Sequence, residues 1–175
     1  MAEMVPVEFW QWAIPQVKQV NDHVIFIAEI YNPEQFNNYI TNGQFDYLYD
    51  KVDLYDALRA VMHGHRSTDA LHHAYNRHTH IGHHLLHFME NHDEQRIASA
   101  HFAGNAWHGI AAMTVSATLD NGAVMIYFGQ ECGEPAIGAE GYQGDDGRTT
   151  IFDYWGVPEH QKWFNNGRCD GALLS

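Results

Sequence analysis

Four short apolar runs are separated by stretches with a helical spacing of apolar residues, and this alternation limits the folds open to the chain. The runs are residues 23–28, 45–49, 85–89 and 123–128. The first and last runs are almost continuously apolar, which is typical of parallel strands that are covered on both faces. A strand–helix–strand order requires crossover connections, and these are right-handed. The sequence therefore predicts an α/β fold built on a parallel sheet.

Helices are predicted between the apolar runs. Apolar residues recur at helical spacing over 9–17, 33–42, 54–63 and 107–119. We expect Asn32 and Asp53 to cap the second and third helices, because short polar side chains satisfy free backbone N–H groups at such positions. We expect Pro15 to kink the first helix, because proline cannot donate the backbone hydrogen bond of a helix interior.

The size and charge of the chain exclude several classes of protein. The 175 residues suffice for one domain, and we interpret residues 1–175 as a single unit. Lys and Arg number 9 against 22 Asp and Glu, which gives a formal net charge of −13. That charge repels nucleic acid and anionic membrane surfaces, so neither is an expected partner. No apolar run approaches the roughly 20 residues of a membrane-spanning helix.

Acidic residues follow the apolar runs at positions where ligands bind in parallel α/β folds. Glu29 directly follows the first run, and Asp93 comes shortly after the third. Because parallel strands end at the same edge of a sheet, we expect both carboxylates at one edge. Two carboxylates that face one cleft suit general acid catalysis and the stabilisation of an oxocarbenium ion. Helix capping is the alternative explanation for these two residues.

Five segments resemble signatures of glycoside hydrolase family 13, the α-amylase family. Phe88–Arg96 contains the Asn-His-Asp core of one signature, and Phe26–Tyr31 is similar to the signature whose glutamate ends the fifth barrel strand. Asp46–Lys51, Val124–Glu131 and Asp146–Asp153 resemble the sixth strand, the eighth strand and the loop after it. The segments span almost the whole chain in the family's order and spacing, so the match is specific.

The resemblance implies a fold, an activity and residue roles. It implies a partial (β/α)8 TIM barrel, roughly strands 5 to 8 with their helices, from a retaining enzyme that acts on the α-glucosidic bonds of starch-type glucans. Glu29 matches the general acid/base, and Asp93 matches the carboxylate that stabilises the transition state. His92 matches a histidine that hydrogen-bonds the sugar, and we interpret Arg96 as structural support. An α-glucan or oligosaccharide is the implied partner.

The family's nucleophile has no counterpart in the sequence. In the family it is an aspartate within a signature resembling Gly-Phe-Arg-x-Asp, and Met1–Trp10 resembles the segment that follows it. Retaining hydrolysis needs that carboxylate for its covalent intermediate, so we expect no appreciable turnover by this chain alone. A closed barrel takes about 250 residues. We therefore expect a half barrel with two unpaired edges, stable only with a second chain completing the barrel or within a longer protein.

Two other functions stay open at this point. One is an amylase homologue that binds carbohydrate or a protein partner without catalysis, which the missing nucleophile favours. The other is metal binding in the histidine-rich region 63–87, where His80/His84 and His83/His87 are separated by one helical turn. The resemblance implies no cofactor in this chain, and calcium only in a full-length parent.

Overall fold

The computed structural model describes residues 1–137, 145–149, 151 and 157–166 of the chain. Its sheet contains four parallel strands in chain order. They are β1 (Ile27–Ala28), β2 (Tyr47–Tyr49), β3 (Leu85–His87) and β4 (Ala123–Val124). The predicted α/β class and parallel sheet are thus confirmed. The strands are shorter than the apolar runs because neighbouring strands share only two paired positions in each register.

Six α-helices accompany the sheet in the described part of the chain. They are α1 (Val7–Val20), α2 (Phe36–Thr41), α3 (Asp56–Met62), α4 (Asp69–His78), α5 (Ala106–Thr118) and α6 (Pro158–Asn166). Helix α2 connects β1 to β2, α3 and α4 connect β2 to β3, and α5 connects β3 to β4. The alternation of strands and helices is therefore the one that the sequence predicted. None of the described helices is long and apolar enough to cross a membrane.

The strand register places alternate residues on opposite faces of the sheet. Leu48 lies between Ala28 of β1 and Leu85 of β3, and all three side chains are buried. They belong to a core cluster with apolar residues of α1 and α2. On the opposite face Tyr47 pairs with Ile27, whose side chain is exposed. One face is thus covered by helices, while the other is open at β1.

A second apolar cluster packs beyond the strand ends. It joins Leu54 and Leu58 near α3 to Phe88 and Met89 after β3, and to Ala112 of α5. Tyr55 stacks on Phe88 in this cluster, with ring centroids 5.3 Å apart. The cluster fixes the segments that follow β2 and β3, and these segments carry polar residues of the candidate site.

Proline at position 15 does not interrupt α1. The helix continues from Val7 to Val20 with Pro15 inside it. Proline cannot donate to the carbonyl four residues earlier, that of Gln11. The side-chain amide of Gln44 donates to this carbonyl instead, at 3.3 Å. A tertiary contact therefore supplies the hydrogen bond that the proline removes.

The caps agree with the sequence at one of the two predicted positions. Asn32 Oδ1 accepts a 3.1 Å hydrogen bond from the backbone of Glu34 and begins the turn that leads into α2. The prediction that Asp53 caps the third helix is wrong. Asp50 is the cap instead, because its Oδ1 accepts the backbone N–H of Leu54 at 3.0 Å. A π-helical turn over Lys51–Tyr55 precedes α3, so the helical segment begins earlier than the apolar spacing indicated.

Apolar side chains are exposed along both outer strands of the sheet. Ile25 and Ile27 are exposed beside β1, and Val124 and Ile126 are exposed beside β4. A groove of about 490 Å³ between α5 and the segment after β4 has Ile126 in its lining. In the described residues each outer strand pairs on one side only. These edges correspond to the two unpaired edges expected of a half barrel.

Candidate active site at the carboxyl ends of the strands

Polar side chains converge where the parallel strands end. Glu29 directly follows β1, Asp50 follows β2, and residues 90–93 lie shortly after β3. Parallel strands direct these segments to the same edge of the sheet, where open α/β folds bind ligands. The edge therefore carries carboxylates from three strands, as the sequence predicted for Glu29 and Asp93.

Glu29 is held on both its main chain and its side chain. Its carbonyl accepts a 2.9 Å hydrogen bond from the backbone of Ala2. Its Oε1 accepts a 2.8 Å hydrogen bond from the hydroxyl of Tyr31. The backbone N–H of Tyr31 donates in turn to Glu3 at 2.9 Å, so the N-terminal segment braces the loop. The Glu29 side chain is 21% exposed, and its Oε2 lies 3.6 Å from the N-terminal ammonium of Met1.

Asp93 is presented by a tight turn after β3. The side-chain oxygen of Asn91 accepts the backbone N–H groups of Asp93 and Glu94, both at 2.8 Å. This Asx turn directs the main chain without using the Asp93 carboxylate. The carboxylate is 38% exposed and lies 3.3 Å from Nε2 of His92, which is 46% exposed. The adjacent acid and imidazole thus face solvent together.

The charges of the two predicted carboxylates affect Tyr49 on β2 and Tyr31 after β1. The strand lies between β1 and β3, so Glu29 and Asp93 flank it on either side. Burial raises the pKa of the Tyr49 hydroxyl, and the charges of Glu29 and Asp93 raise it further. Burial and Glu29 also raise the pKa of Tyr31, with a smaller effect from Asp93. The tyrosine of β2 and the tyrosine after β1 thus both have a raised pKa at the end of the sheet where Glu29 and Asp93 follow their strands.

A cation lies between the loops that carry these acids. Lys51 follows β2, and its ammonium lies 3.3 Å from Glu94 and 2.7 Å from Asp56. Its ammonium also lies 5.9 Å from the ring centroid of Tyr31. Glu94 accepts a 3.0 Å hydrogen bond from the Tyr55 hydroxyl. Lys51 thus offsets part of the negative charge where the β1 and β3 loops meet, which sequence reasoning did not identify.

Arg96 is buried beneath the Asp93 loop. Its Nη1 donates to the Glu90 carboxylate at 2.9 Å and to the carbonyl of Phe128 at 2.7 Å. Its Nε and Nη2 donate to the Thr149 hydroxyl at 3.1 and 2.9 Å. Burial raises the pKa of Glu90 to about 7, against the opposing effect of Arg96. Arg96 is 1% exposed, which agrees with its interpretation as structural support.

A segment after β4 reaches across to the Asp93 loop. Arg148 Nε donates to the main-chain carbonyl of Asp93 at 2.5 Å, and its Nη1 pairs with Asp146 at 2.8 Å. The carbonyl of Gly147 accepts the backbone N–H of Arg96 at 2.7 Å. The sequence motif at 146–153 identified this segment but not its contact with Asp93. Residues 150 and 152–153 of that motif lie outside the described residues.

The histidine pairs do not have the predicted helical arrangement. His83 and His84 belong to a short 3₁₀ turn, and His87 is in β3, so i, i+4 spacing does not align these rings on one helix face. His80 contacts Asn37, and His84 Nδ1 lies 2.9 Å from the carbonyl of Asp46. Among the residues that the structure describes, no group of three His, Cys, Asp or Glu side chains could hold a metal ion.

Comparison with known proteins gives matches in structure but not in sequence. No protein-family model and no curated protein matches the chain. Solved structures match it along most of its length. One is the cyclic α-maltosyl-(1→6)-maltose hydrolase from Arthrobacter globiformis in complex with cyclic α-maltosyl-(1→6)-maltose. That match has a TM-score of 0.68 and 18% identity and covers 94% of this chain and 38% of that one.

Two further enzymes show the same likeness. The debranching enzyme from Nostoc punctiforme, soaked with acarbose, matches with a TM-score of 0.53 and 17% identity over 95% of this chain and 38% of its own. An α-amylase from Lactobacillus plantarum matches with a TM-score of 0.52 and 22% identity, over 85% of this chain and 36% of its own. This chain thus spans little more than a third of the length of each solved protein.

The matches define the fold as part of an α-amylase-type (β/α)8 barrel. The predicted resemblance to the α-amylase family is therefore confirmed at the level of structure, and so is the partial barrel. The roles of individual residues are a separate question, because at this level of identity a shared fold does not fix a shared chemistry.

Proposed function

We propose that this chain is part of an α-amylase-type retaining glycosidase that acts on α-glucosidic bonds. The observation that carries the proposal is that Glu29 and Asp93 follow β1 and β3, the two parallel strands that flank β2. Similar solved structures are named as complexes with maltose and with cyclic α-maltosyl-(1→6)-maltose, and as an acarbose soak. These names support an α-linked oligosaccharide as the ligand.

Each residue has a defined role in the proposed chemistry. Glu29 protonates the glycosidic oxygen as the bond to the anomeric carbon breaks, and the exposed part of its side chain allows that approach. Asp93 accepts hydrogen bonds from sugar hydroxyls and stabilises the positive charge that develops on the ring. His92 supplies a second hydrogen-bonding group beside Asp93. Arg96 acts through the loop and does not contact the sugar.

The proposed chemistry also requires a carboxylate nucleophile, which Glu29, Asp93 and His92 do not supply. The retaining mechanism forms a covalent glycosyl–enzyme intermediate on a second carboxylate before water releases the sugar. The sequence contains no signature resembling Gly-Phe-Arg-x-Asp. We therefore propose that this chain alone binds oligosaccharide but does not turn it over.

A complementary polypeptide is proposed to complete the barrel. The exposed side chains Ile25 and Ile27 at one edge, and Val124 and Ile126 at the other, provide apolar surface for it. Exposed edge strands promote association when nothing covers them. Sedimentation velocity is expected to show self-association of the chain alone, and less association after Ile27→Lys combined with Ile126→Lys. A compact monomer that does not self-associate in sedimentation velocity would contradict the need for a complement.

Binding of maltoheptaose tests the proposed site. Isothermal titration calorimetry is expected to show saturable binding that Asp93→Asn and His92→Ala each weaken at least tenfold. A matched control is available, because Asp22 and His23 form a similar adjacent pair at the amino end of β1, 3.7 Å apart and highly exposed. Asp22→Asn and His23→Ala are expected to change the affinity less than twofold. Equal effects of both pairs, or no saturable binding, would contradict the assignment.

Hydrolysis of an aryl maltoside tests the proposal that this chain alone has no turnover. The purified chain is expected to give the same rate as buffer, because its sequence has no counterpart of the family's nucleophilic aspartate, on which the covalent intermediate forms. Hydrolysis that Glu29→Gln abolishes would show that this chain is catalytically complete, and would overturn the proposed inactivity.

A further inference from the structure

Residues 145–149 form three contacts with the Asp93 loop and with the arginine beneath it. We refer to this segment as the clamp. Arg148 binds the carbonyl of Asp93, Gly147 accepts the backbone N–H of Arg96, and the Thr149 hydroxyl accepts two guanidinium donors of Arg96. The clamp belongs to the segment after β4, whereas Asp93 belongs to the segment after β3. Two neighbouring crossover loops are therefore joined at the candidate stabiliser.

Arg148 contacts Asp93 at the main-chain carbonyl. Nε donates to the Asp93 carbonyl at 2.5 Å, while Nη1 binds Asp146 at 2.8 Å. From the other side, Asn91 accepts the N–H of Asp93 at 2.8 Å. The main-chain N–H and the carbonyl of Asp93 are thus held by side chains of two different loops. Such constraint fixes the position from which the side chain leaves the main chain, and a fixed position favours recognition of a transition state.

A glycine allows the clamp to approach this closely. Gly147 has φ +79, in the left-handed region that glycine adopts without strain. A Cβ at this position would lie 2.7 Å from Ser99 Oγ, inside van der Waals contact. The short distance shows that the clamp and the 93–101 loop pack backbone against side chain. Any larger residue at 147 displaces one segment from the other.

We propose that Arg148 is a positioning residue for Asp93, and that the clamp makes sugar recognition by the β3 loop depend on the β4 loop. The inference rests on the proposed function, because it concerns the carboxylate assigned there to the sugar. It adds a residue that the resemblance did not assign. A glucan that reaches Asp93 would thus meet a residue whose main chain is held in place before binding.

Substitution of Arg148 tests the inference with two readouts. Arg148→Lys retains a cation that can pair with Asp146 but removes the planar Nε–H that meets the Asp93 carbonyl. We expect the Kd for maltoheptaose to rise at least fivefold. We also expect the ¹⁵N–¹H signals of the Asp93 and Glu94 amides to shift in the free protein. Arg77→Lys is the matched control, because Arg77 pairs with Glu34 and Asp53 away from the site, and it should change neither readout.

Two glycines provide a second, independent comparison. Gly104 has φ +81, almost the value of Gly147, but a Cβ there would meet nothing within 4 Å. Gly147→Ala and Gly104→Ala thus introduce similar backbone strain, and only the first pushes the clamp away from Ser99. We expect Gly147→Ala to reproduce the effects of Arg148→Lys and Gly104→Ala to leave affinity and the Asp93 amide signal unchanged.

The outcomes separate this inference from the proposed function. If Asp93→Asn weakens binding and Arg148→Lys and Gly147→Ala do not, the positioning role is wrong and the proposed function stands. If Asp93→Asn has no effect on binding, the proposed function is wrong. In that case unchanged amide signals in Arg148→Lys would also overturn the positioning role, whereas shifted signals would support it as a property of the loop alone.

Discussion

The hydroxyl of Tyr31 donates a 2.8 Å hydrogen bond to Glu29 Oε1, two residues earlier in the chain. The backbone N–H of Tyr31 is itself bound by Glu3. The proposed acid/base is therefore oriented by a tyrosine whose own position is fixed by the N-terminal segment. This relationship could not be inferred from the sequence signature, in which only the glutamate stands out.

Tyr31→Phe tests the stabilising role of this hydrogen bond. A hydrogen bond to a carboxylate stabilises by about 2 kcal/mol, and the variant is expected to lose up to that amount in urea unfolding. Tyr75→Phe, on the exposed surface of α4, is the control and should change stability little. Equal stability of the parent chain and Tyr31→Phe would show that the hydrogen bond contributes nothing.

The same tyrosine predicts a loss of stability at high pH. Burial and Glu29 raise the pKa of Tyr31 in the folded chain, whereas an unfolded tyrosine ionises near pH 10. Between these values the unfolded chain binds fewer protons, so stability falls as the pH rises above about 10. Urea unfolding between pH 9 and 11 is expected to show a steeper decline in the parent chain than in Tyr31→Phe. Parallel declines would contradict this.

The raised pKa of Glu90 predicts that the stability of the chain also depends on pH near neutrality. Its pKa is raised to about 7 in the folded chain by burial, whereas an unfolded glutamate titrates near 4.3. Its contribution to stability is therefore complete below about pH 4 and declines as the pH rises to about 7, by at most about 1.4 kcal/mol per pH unit. Glu90→Gln is expected to flatten the decline between pH 5 and 7 in urea unfolding. An unchanged slope would be evidence against this assignment.

His87 is predicted to be essential for the packing of β3. Its Nδ1 lies 2.8 Å from the Ser116 carbonyl, and its Nε2 lies within 3.7 Å of Asp50 and 3.5 Å of Asp120. His87→Leu leaves the carbonyl and the two carboxylates without this ring, and we expect a loss of about 3 kcal/mol. Thermal unfolding measures the effect, with the exposed His83→Leu as control. Similar melting temperatures for the two variants would refute the prediction.

The N-cap of α5 offers a local test of helix stability. Asn105 Oδ1 accepts the backbone N–H of His108 at 3.0 Å. Asn105→Ala is expected to cost about 1 kcal/mol, because the N–H loses its partner. Asn76→Ala, at an exposed position inside α4, is the control and should be neutral or slightly stabilising, since alanine favours helix interiors. Chemical denaturation measures both, and equal losses would argue against a capping role.

The fold was predictable because its signals are local. Apolar runs identify the strands, and Asn32–Pro33 marks the start of a helical segment through capping chemistry that depends on neighbouring residues only. The prediction of a cap at Asp53 was wrong because Asp50, three residues earlier, begins a π-helical turn, and such a turn has no distinctive apolar spacing. The expected helical arrangement of the histidine pairs was wrong because i, i+4 spacing brings side chains together only when the segment is helical.

The site was predictable only in part, for a related reason. Glu29 and Asp93 could be placed at one edge because parallel strands share a direction. The contacts of Lys51 with Glu94 and of Arg148 with Asp93 join residues of different loops, and no periodicity in the sequence encodes them. Such loop-to-loop contacts depend on how crossover segments pack, which is a tertiary property. The supporting residues therefore became visible only in three dimensions.

Arg96 binds acceptors from three separate parts of the chain, namely Glu90, the Phe128 carbonyl and Thr149. Breaking any one of these contacts leaves a buried guanidinium donor unsatisfied, so the three segments have little freedom to loosen one at a time. Their slowly exchanging amide protons should consequently share one opening free energy in native-state hydrogen exchange. The strand-end loops would then behave as a single cooperative unit, although they lie far apart along the chain.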